Sequence, residues 1–209
     1  MMIFAVGMAI LGNVPDVMGQ TSDAGIIQQP AIQNKPGLHI EYDAWVSAGS
    51  LHQFVREDYV IDILETWKGG VTFRYTIQQS ALGDSTGTQT LTSLDDCVSL
   101  DPWWEPDKVE FDDRCELWIP GKNLIELLVE HKTFLKVDRY ARRDSNVRWE
   151  FQREVEYPCE INHQTVLLKA VLARTSRNDD IIILNDPEYP LILGIDSSYF
   201  KWRVARIRD

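Results

Sequence analysis

Apolar and polar residues alternate with a period of two along several stretches of this chain, and this pattern constrains the fold most. It runs through residues 38–46, 71–77 and 147–157. Successive side chains of a β-strand point to opposite faces of its sheet, so each stretch predicts a strand with one buried and one wet face. Residues 166–173 and 181–184 are nearly continuous apolar runs, which are typical of strands buried on both faces.

Two local features predict how these strands turn and bend. Gly69 and Gly70 separate residues 54–67 from the strand at 71–77, which predicts a hairpin whose glycines supply positive φ. In the last strand the apolar phase changes between Val204 and Ala205. One inserted residue restores the phase, so the sequence predicts a β-bulge there.

One stretch has helical rather than strand spacing. The apolar residues between 124 and 129 fall on one face of a helix, and Asn123 is a candidate N-cap. The patterns together predict a mainly β fold, namely a curved, mostly antiparallel sheet or a partly closed barrel with one short helix.

The N-terminal residues predict export. Residues 3–11 form an apolar run too short to span a bilayer, and residues 17–19 fit a cleavage pattern of small residues. No Lys or Arg precedes this run, so a buried N-terminal strand or helix is the alternative. The export interpretation divides the chain into a signal peptide at 1–19, a flexible leader at 20–37 and a single β-rich domain at 38–209.

Export implies a periplasmic or extracellular location. No later stretch is long and apolar enough to span a membrane, so we expect no transmembrane span in the mature chain. The formal net charge of −11, from 32 acidic and 21 basic side chains, repels phosphate backbones. Nucleic acid is therefore not an expected partner. The expected partner is an unknown small molecule or an envelope protein.

The three cysteines do not have the spacing of a structural zinc site. Cys97 and Cys115 stand 18 positions apart, a separation that suits a disulfide in an oxidising compartment. Cys159 is then left as a buried thiol. The alternative is that all three cysteines are reduced and serve as small apolar core residues.

An acidic segment that contains two tryptophans is the main candidate for a functional site. Residues 95–113 contain eight carboxylates, and Trp103 and Trp104 lie among them. The tryptophans are candidate ligand-binding residues, and the carboxylates predict a calcium site, since hard cations take several carboxylate oxygens. The alternative is a solvated acidic loop whose tryptophans pack on the sheet. The candidate metal ligands are Asp95, Asp96, Asp101, Glu105 and Asp107.

The segment 185–193, Asn-Asp-Pro-Glu-Tyr-Pro-Leu-Ile-Leu, is followed by Trp202 in the terminal strand. This arrangement resembles the closing part of a family of uncharacterised exported β-rich bacterial domains, over about the last third of the chain. The resemblance implies a periplasmic or surface setting and assigns no functional residue. The two prolines bound a turn that directs residues 191–193 into the core.

No catalytic motif is present, because the four histidines form neither a metal-binding helix pair nor a recognisable triad. We therefore favour a non-catalytic envelope protein that binds an apolar ligand, a peptide or a protein partner. The alternative is a hydrolase acting on envelope glycans or peptides through carboxylates of the 95–113 loop.

Overall fold

The computed structural model describes residues 32–48, 53–78, 84–100, 107–139, 142–143, 146–198 and 200–209. Within these ranges it contains fourteen strands and one α-helix. The strands are β1 His39–Ala48, β2 Gln53–Trp67, β3 Gly70–Gln78, β4 Ser85–Leu91, β5 Ser99–Leu100, β6 Asp107–Phe111, β7 Arg114–Cys115, β8 Lys132–Arg139, β9 Arg142–Arg143, β10 Val147–Ile161, β11 Gln164–Thr175, β12 Asp180–Leu184, β13 Ile192–Asp196 and β14 Phe200–Arg208, and the helix α1 is Gly121–Val129.

The strands form one large sheet in the order β6-β4-β3-β2-β1-β14-β13-β12-β11-β10-β8-β5-β7, with β9 paired to β8. The long neighbours are antiparallel, whereas β4–β6, β5–β7 and β5–β8 are short parallel pairs. A further parallel contact pairs Glu160 of β10 with Arg206 of β14. That contact joins β10 to β14 into a ring of five strands. The predicted mainly β fold with one short helix is confirmed.

The β2–β3 hairpin is where the two glycines predict it, although they act in different ways. Gly69 has φ +76°, a conformation that a side chain disfavours. Gly70 is needed for space instead, because a Cβ atom there would overlap the indole ring of Trp67. The hairpin turn therefore brings the Trp67 ring against the backbone of Gly70.

The predicted bulge in the last strand is confirmed. Glu41 pairs with Arg206 while the next residue, Tyr42, pairs with Val204, so Ala205 is the inserted residue. Both Val204 and Ile207 are buried as a result, because the bulge returns the apolar side chains to the core face.

The prediction that Asn123 caps the helix is wrong. The helix begins at Gly121 after Pro120, with no side-chain cap, and Asn123 is buried in its first turn. The Asn123 amide nitrogen donates hydrogen bonds to Thr133 Oγ1 at 2.8 Å and to the Phe134 carbonyl at 3.2 Å. Because β8 follows the helix after a short turn and packs against it, Asn123 links the two elements.

The core is rich in aromatic residues that contact one another edge-on. Tyr42 and Trp202 have ring centroids 4.6 Å apart, and Phe73 and Trp118 have centroids 5.9 Å apart. Trp118 is almost completely buried. In the described part of the chain no helix is both long and apolar enough to cross a bilayer.

The cysteines are arranged as the disulfide prediction requires. Cys97 and Cys115 lie at disulfide-bonding distance with their Cα atoms 5.8 Å apart. Cys159 is free and buried. Burial, and to a lesser degree the charge of Glu160, raise the pKa of the Cys159 thiol to about 12, so this thiol is protonated and unreactive at neutral pH.

Candidate functional site

A cleft of about 320 Å³ opens where the β2–β3 turn, the turn after β4, the start of the helix and the β12–β13 connection meet. This volume is at the lower end of the range for small-molecule sites. Residues from the segment before β1 complete its wall. The lining residues are Gln33, Asn34, Thr66, Trp67, Gly69, Gly70, Leu94, Asp95, Trp118, Ile119, Gly121, Asp186, Pro187, Glu188, Tyr189 and Pro190.

Backbone pairing holds the segment before the helix against the β12–β13 connection. The Ile119 amide donates to the Pro190 carbonyl at 3.2 Å, and the Ile192 amide donates to the Leu117 carbonyl at 2.7 Å. Trp118 and Leu191 form an antiparallel bridge between these two hydrogen bonds. Trp118 and its neighbour Ile119 are thereby fixed in the cleft wall.

Close backbone contacts position two more walls. The Leu94 amide donates to the Gly69 carbonyl at 2.8 Å, so the turn after β4 lies against the hairpin turn. Gly121 packs so tightly on the β12–β13 connection that a Cβ atom there would overlap the Pro187 carbonyl oxygen. A residue other than glycine at position 121 would push the helix away from the cleft.

The cleft is acidic. Three carboxylates line it, from Asp95, Asp186 and Glu188, and none of the described lining residues is Lys, Arg or His. The Asp186 carboxylate accepts a hydrogen bond from the Glu188 amide at 3.0 Å, which shapes the turn between β12 and β13.

Among the described residues that line the cleft, three buried polar atoms have no hydrogen-bond partner. They are Asn34 Oδ1, Trp118 Nε1 and the Tyr189 hydroxyl oxygen. A buried polar atom without a partner costs about 1–3 kcal/mol, and such atoms are few in native proteins. These three atoms belong to lining residues but are themselves covered by neighbouring atoms.

Trp118 and Tyr189 lie close together, with ring centroids 6.2 Å apart. Burial raises the pKa of the Tyr189 hydroxyl far above its ordinary value, and the nearby Trp118 N–H opposes this rise. The two groups do not reach ordinary hydrogen-bond geometry. The Tyr189 hydroxyl is therefore neutral at physiological pH and keeps both its donor and its acceptor capacity.

The structure separates the first two acidic residues that the sequence singled out. Asp95 lines the cleft, whereas the exposed Asp96 forms an ion pair with Lys122 at 3.2 Å. Trp103, Trp104, Asp101 and Glu105 lie outside the described residues.

Asp107 begins β6 at the edge of the sheet. Within the described ranges, no group of three or more His, Cys, Asp or Glu side chains is arranged to hold a metal ion. The calcium site and the hydrolase alternative stay predictions.

A second group of ionisable side chains crosses β3, β2, β1 and β14 on the face opposite Ile40. Arg74 bonds Asp62 at 2.8 Å, Asp62 contacts His39 Nδ1 at 2.8 Å, and Arg206 bonds Glu41 at 2.6 Å. Partial burial tends to raise the pKa of Asp62 and of Glu41, but these arginines and His39 hold both pKa values below their ordinary range. This network ties four strands together.

Sequence reasoning missed most of the cleft. It interpreted Gly69 and Gly70 as a turn, the segment 185–193 as a turn and the basis of a family resemblance, and Asn34 as part of the leader, and it gave no binding role to Trp67 or Trp118. Of the lining residues it singled out Asp95, as a candidate metal ligand. A tryptophan directly before a glycine turn and a tyrosine between two prolines were further signals, since binding residues concentrate on loops.

No family model and no curated protein matches the sequence. Among solved structures, the chain is similar to a crystal structure from Bacteroides fragilis NCTC 9343 of a protein described as exported, with a YmcC-like fold. The two sequences are 8% identical, the match covers 84% of this chain and 97% of the other, and the TM-score is 0.39. The likeness is partial, and neither a ligand nor a partner follows from it.

Proposed function

We propose that this protein is an exported, non-catalytic binding protein that holds a small amphipathic molecule in the cleft beside Trp118 and Tyr189. The observation that carries the proposal is the set of unpartnered polar atoms, Asn34 Oδ1, Trp118 Nε1 and the Tyr189 hydroxyl, around one cleft. A ligand that bonds to these atoms after a small turn of the lining side chains would remove the energetic cost of leaving them unpartnered.

The lining suits a molecule with both an apolar and a polar part. Trp67, which is 43% exposed, provides the accessible aromatic surface, Trp118 and Tyr189 lie buried in the wall, and carboxylates and amide groups provide the polar contacts. Few, fixed polar groups among aromatic side chains are the usual composition of a small-molecule site. Asp95 and Glu188 are exposed and Asp186 is half-buried, so the cleft keeps polar groups at its mouth and suits an amphipathic ligand better than a wholly apolar one.

Export is supported by two independent features. The apolar run at 3–11 with a cleavage pattern at 17–19 is typical of a signal peptide. The Cys97–Cys115 pair suits the oxidising periplasm or cell exterior. Amino-terminal sequencing of the protein from its own host tests this part of the proposal. We expect the chain to begin near Gln20, and recovery of Met1 or Met2 would contradict export.

Ligand binding is tested by native mass spectrometry of protein purified from its host, with Tyr189→Phe as the decisive variant. We expect a co-purifying small molecule that is lost or reduced in this variant. Removing an unpartnered hydroxyl leaves the free energy of unfolding unchanged or slightly higher. Loss of the ligand without loss of stability would thus identify the Tyr189 hydroxyl as a binding group.

Two other tyrosines provide matched controls. The Tyr157 hydroxyl donates to the Val204 carbonyl at 2.7 Å, so Tyr157→Phe should lose about 1 kcal/mol of stability and keep the ligand. The Tyr42 hydroxyl is buried and unpartnered but does not line the cleft, so Tyr42→Phe should change neither property. Equal retention of the ligand by the native protein and by all three tyrosine variants would contradict binding through Tyr189. A native protein that carries no bound molecule would count against the proposed function.

A further inference from the structure

We propose that the ligand of this cleft is an organic cation, a molecule that carries an ammonium or guanidinium group on an apolar body. This inference rests on the proposed binding function and adds the chemical class of the ligand. It starts from the charge of the lining, in which Asp95, Asp186 and Glu188 are not opposed by any basic residue among the described lining residues. A cleft lined by one sign of charge concentrates ligands of the opposite sign.

The carboxylates are arranged for an extended cation rather than for a metal ion. No three acidic, histidine or cysteine side chains of the described residues converge closely enough to coordinate a metal. Asp95 stands on the turn after β4, and Asp186 and Glu188 stand on the β12–β13 connection, so the negative charges lie on different walls. A molecule with its cationic group on an apolar body can place that group beside one of these carboxylates without needing a coordination shell.

Trp67 adds a surface that cations favour. Its indole ring lies close to Gly70, and Trp67 is 43% exposed, so part of the ring is accessible to a ligand. Cations bind above the faces of aromatic rings, and tryptophan is the best of these rings. Among the lysines that adjoin lining residues in the sequence, Lys122 is paired with Asp96. The exposed Lys68 directly follows Trp67 but does not itself line the cleft.

The unpartnered buried atoms supply hydrogen-bond acceptors that a cation can use. Tyr189 is 4% exposed, and its hydroxyl oxygen and Asn34 Oδ1 both lack a partner. An ammonium group has three donors and no acceptor, and a guanidinium group has five donors. The Trp118 N–H is a donor, so it offers nothing to a cation, and it does not reach hydrogen-bond geometry with the Tyr189 hydroxyl.

The test compares three probes that share one skeleton and differ only in charge: 2-phenylethylammonium, 2-phenylethanol and phenylacetate. Binding to the full mature chain is measured by calorimetry or ligand-observed NMR at low ionic strength. We expect the cation to bind about tenfold more tightly than the alcohol, and the anion to bind least. Added NaCl should weaken the binding of the cation only, because salt screens the attraction between exposed charges.

A variant that removes one negative charge from the lining tests whether that carboxylate attracts the cationic probe. Glu188→Gln should weaken the cationic probe about three- to fivefold and leave the alcohol unchanged. Glu154→Gln is the matched control, since Glu154 is exposed on β10 away from the cleft and its loss changes the net charge equally. A similar effect of both variants would show that only the overall charge of the protein attracts the cation, and would overturn the site.

The outcomes separate this inference from the proposed function. Equal or tighter binding of the alcohol or the anion would overturn the cationic ligand class while keeping the cleft as a binding site. No binding of any probe would overturn the inference as well, and the proposed function would then be decided by the co-purified ligand and the Tyr189→Phe variant.

Discussion

The Cα atoms of Cys97 and Cys115 lie 5.8 Å apart, and the bond between these residues ties the turn that carries Asp95 to the segment that carries Trp118. Both of these side chains line the cleft. The Asp96–Lys122 ion pair links the same turn to the start of the helix. One short turn is thus held from two sides beside the candidate site, while the neighbouring Leu94 amide holds it to the hairpin.

The first prediction concerns removal of this disulfide. A Cys97→Ala/Cys115→Ala variant frees a loop of 18 positions, which on the chain-entropy model costs about 3 kcal/mol. In a domain of this size the melting midpoint should fall by roughly 6–12 °C. Thermal unfolding with and without a reductant measures it. Reductant should lower the midpoint of the native protein and leave that of the variant unchanged, and peptide mapping that finds both thiols free would contradict the pairing.

The second prediction is that Gly121→Ala lowers the free energy of unfolding, the opposite of the usual effect of Gly→Ala in a helix. In an open helix, Gly→Ala stabilises by up to about 1 kcal/mol. Here the new Cβ atom would overlap the Pro187 carbonyl oxygen, a backbone atom that cannot turn aside, so Gly121→Ala should destabilise by about 1–3 kcal/mol. Urea unfolding measures the difference. Val129→Ala, at a 68% exposed position of the same helix, is the control and should change stability by less than about 0.5 kcal/mol. A Gly121→Ala protein as stable as the native one would show that the helix is not pressed against the β12–β13 connection.

The third prediction concerns acid. Arginine partners and His39 hold the pKa values of Glu41 and Asp62 below their ordinary values of 4.5 and 3.8. A lowered folded-state pKa stabilises the protein fully above the ordinary value, and this contribution is lost as the pH falls through the lowered one. We therefore expect the free energy of unfolding to be level from pH 7 to about 5 and to decline below about pH 4.

Urea unfolding across that pH range, on the native protein and on Glu41→Gln and Asp62→Asn, measures the acid effect. Each variant should be less stable than the native protein at pH 7 and should decline less steeply in acid. The Glu154→Gln protein should follow the native curve. Parallel curves for all four proteins would mean that other carboxylates cause the acid sensitivity.

The fourth prediction keeps the calcium site that the sequence suggests. Eight carboxylates within residues 95–113 repel one another, and a bound Ca²⁺ would relieve that repulsion. Binding of Ca²⁺ to the native state alone raises the free energy of unfolding by about 2.7 kcal/mol when the Ca²⁺ concentration is a hundredfold above its dissociation constant. This is enough to raise the melting midpoint by several degrees. Asp101→Asn and Glu105→Gln should reduce the shift. If NaCl at matched ionic strength gives the same shift as millimolar Ca²⁺, the effect is general screening.

The sequence by itself determined the class of the fold and much of its local detail. Alternation in a strand is set by the backbone, since successive side chains point to opposite faces of the sheet. The strands at 38–46 and 147–157 could therefore be predicted without knowing which strands they pair with. The bulge at Ala205 followed from the same rule, because a change of phase requires one inserted residue. The separation of Cys97 and Cys115 suited a disulfide but left three reduced cysteines as an alternative, and the distance between the two residues in the fold decided between them.

Only the tertiary structure decided what Asn123 does and where the cleft lies. An Asn near the start of a helix can cap the helix or bond to a neighbouring strand. Asn123 bonds to β8 because the fold places Thr133 beside it. Asn34, Trp67, Trp118 and Tyr189 come from four separate segments. Strand periodicity says which face of a strand is buried but not which strands pair, so it cannot show that long-range pairing brings these side chains to one cavity.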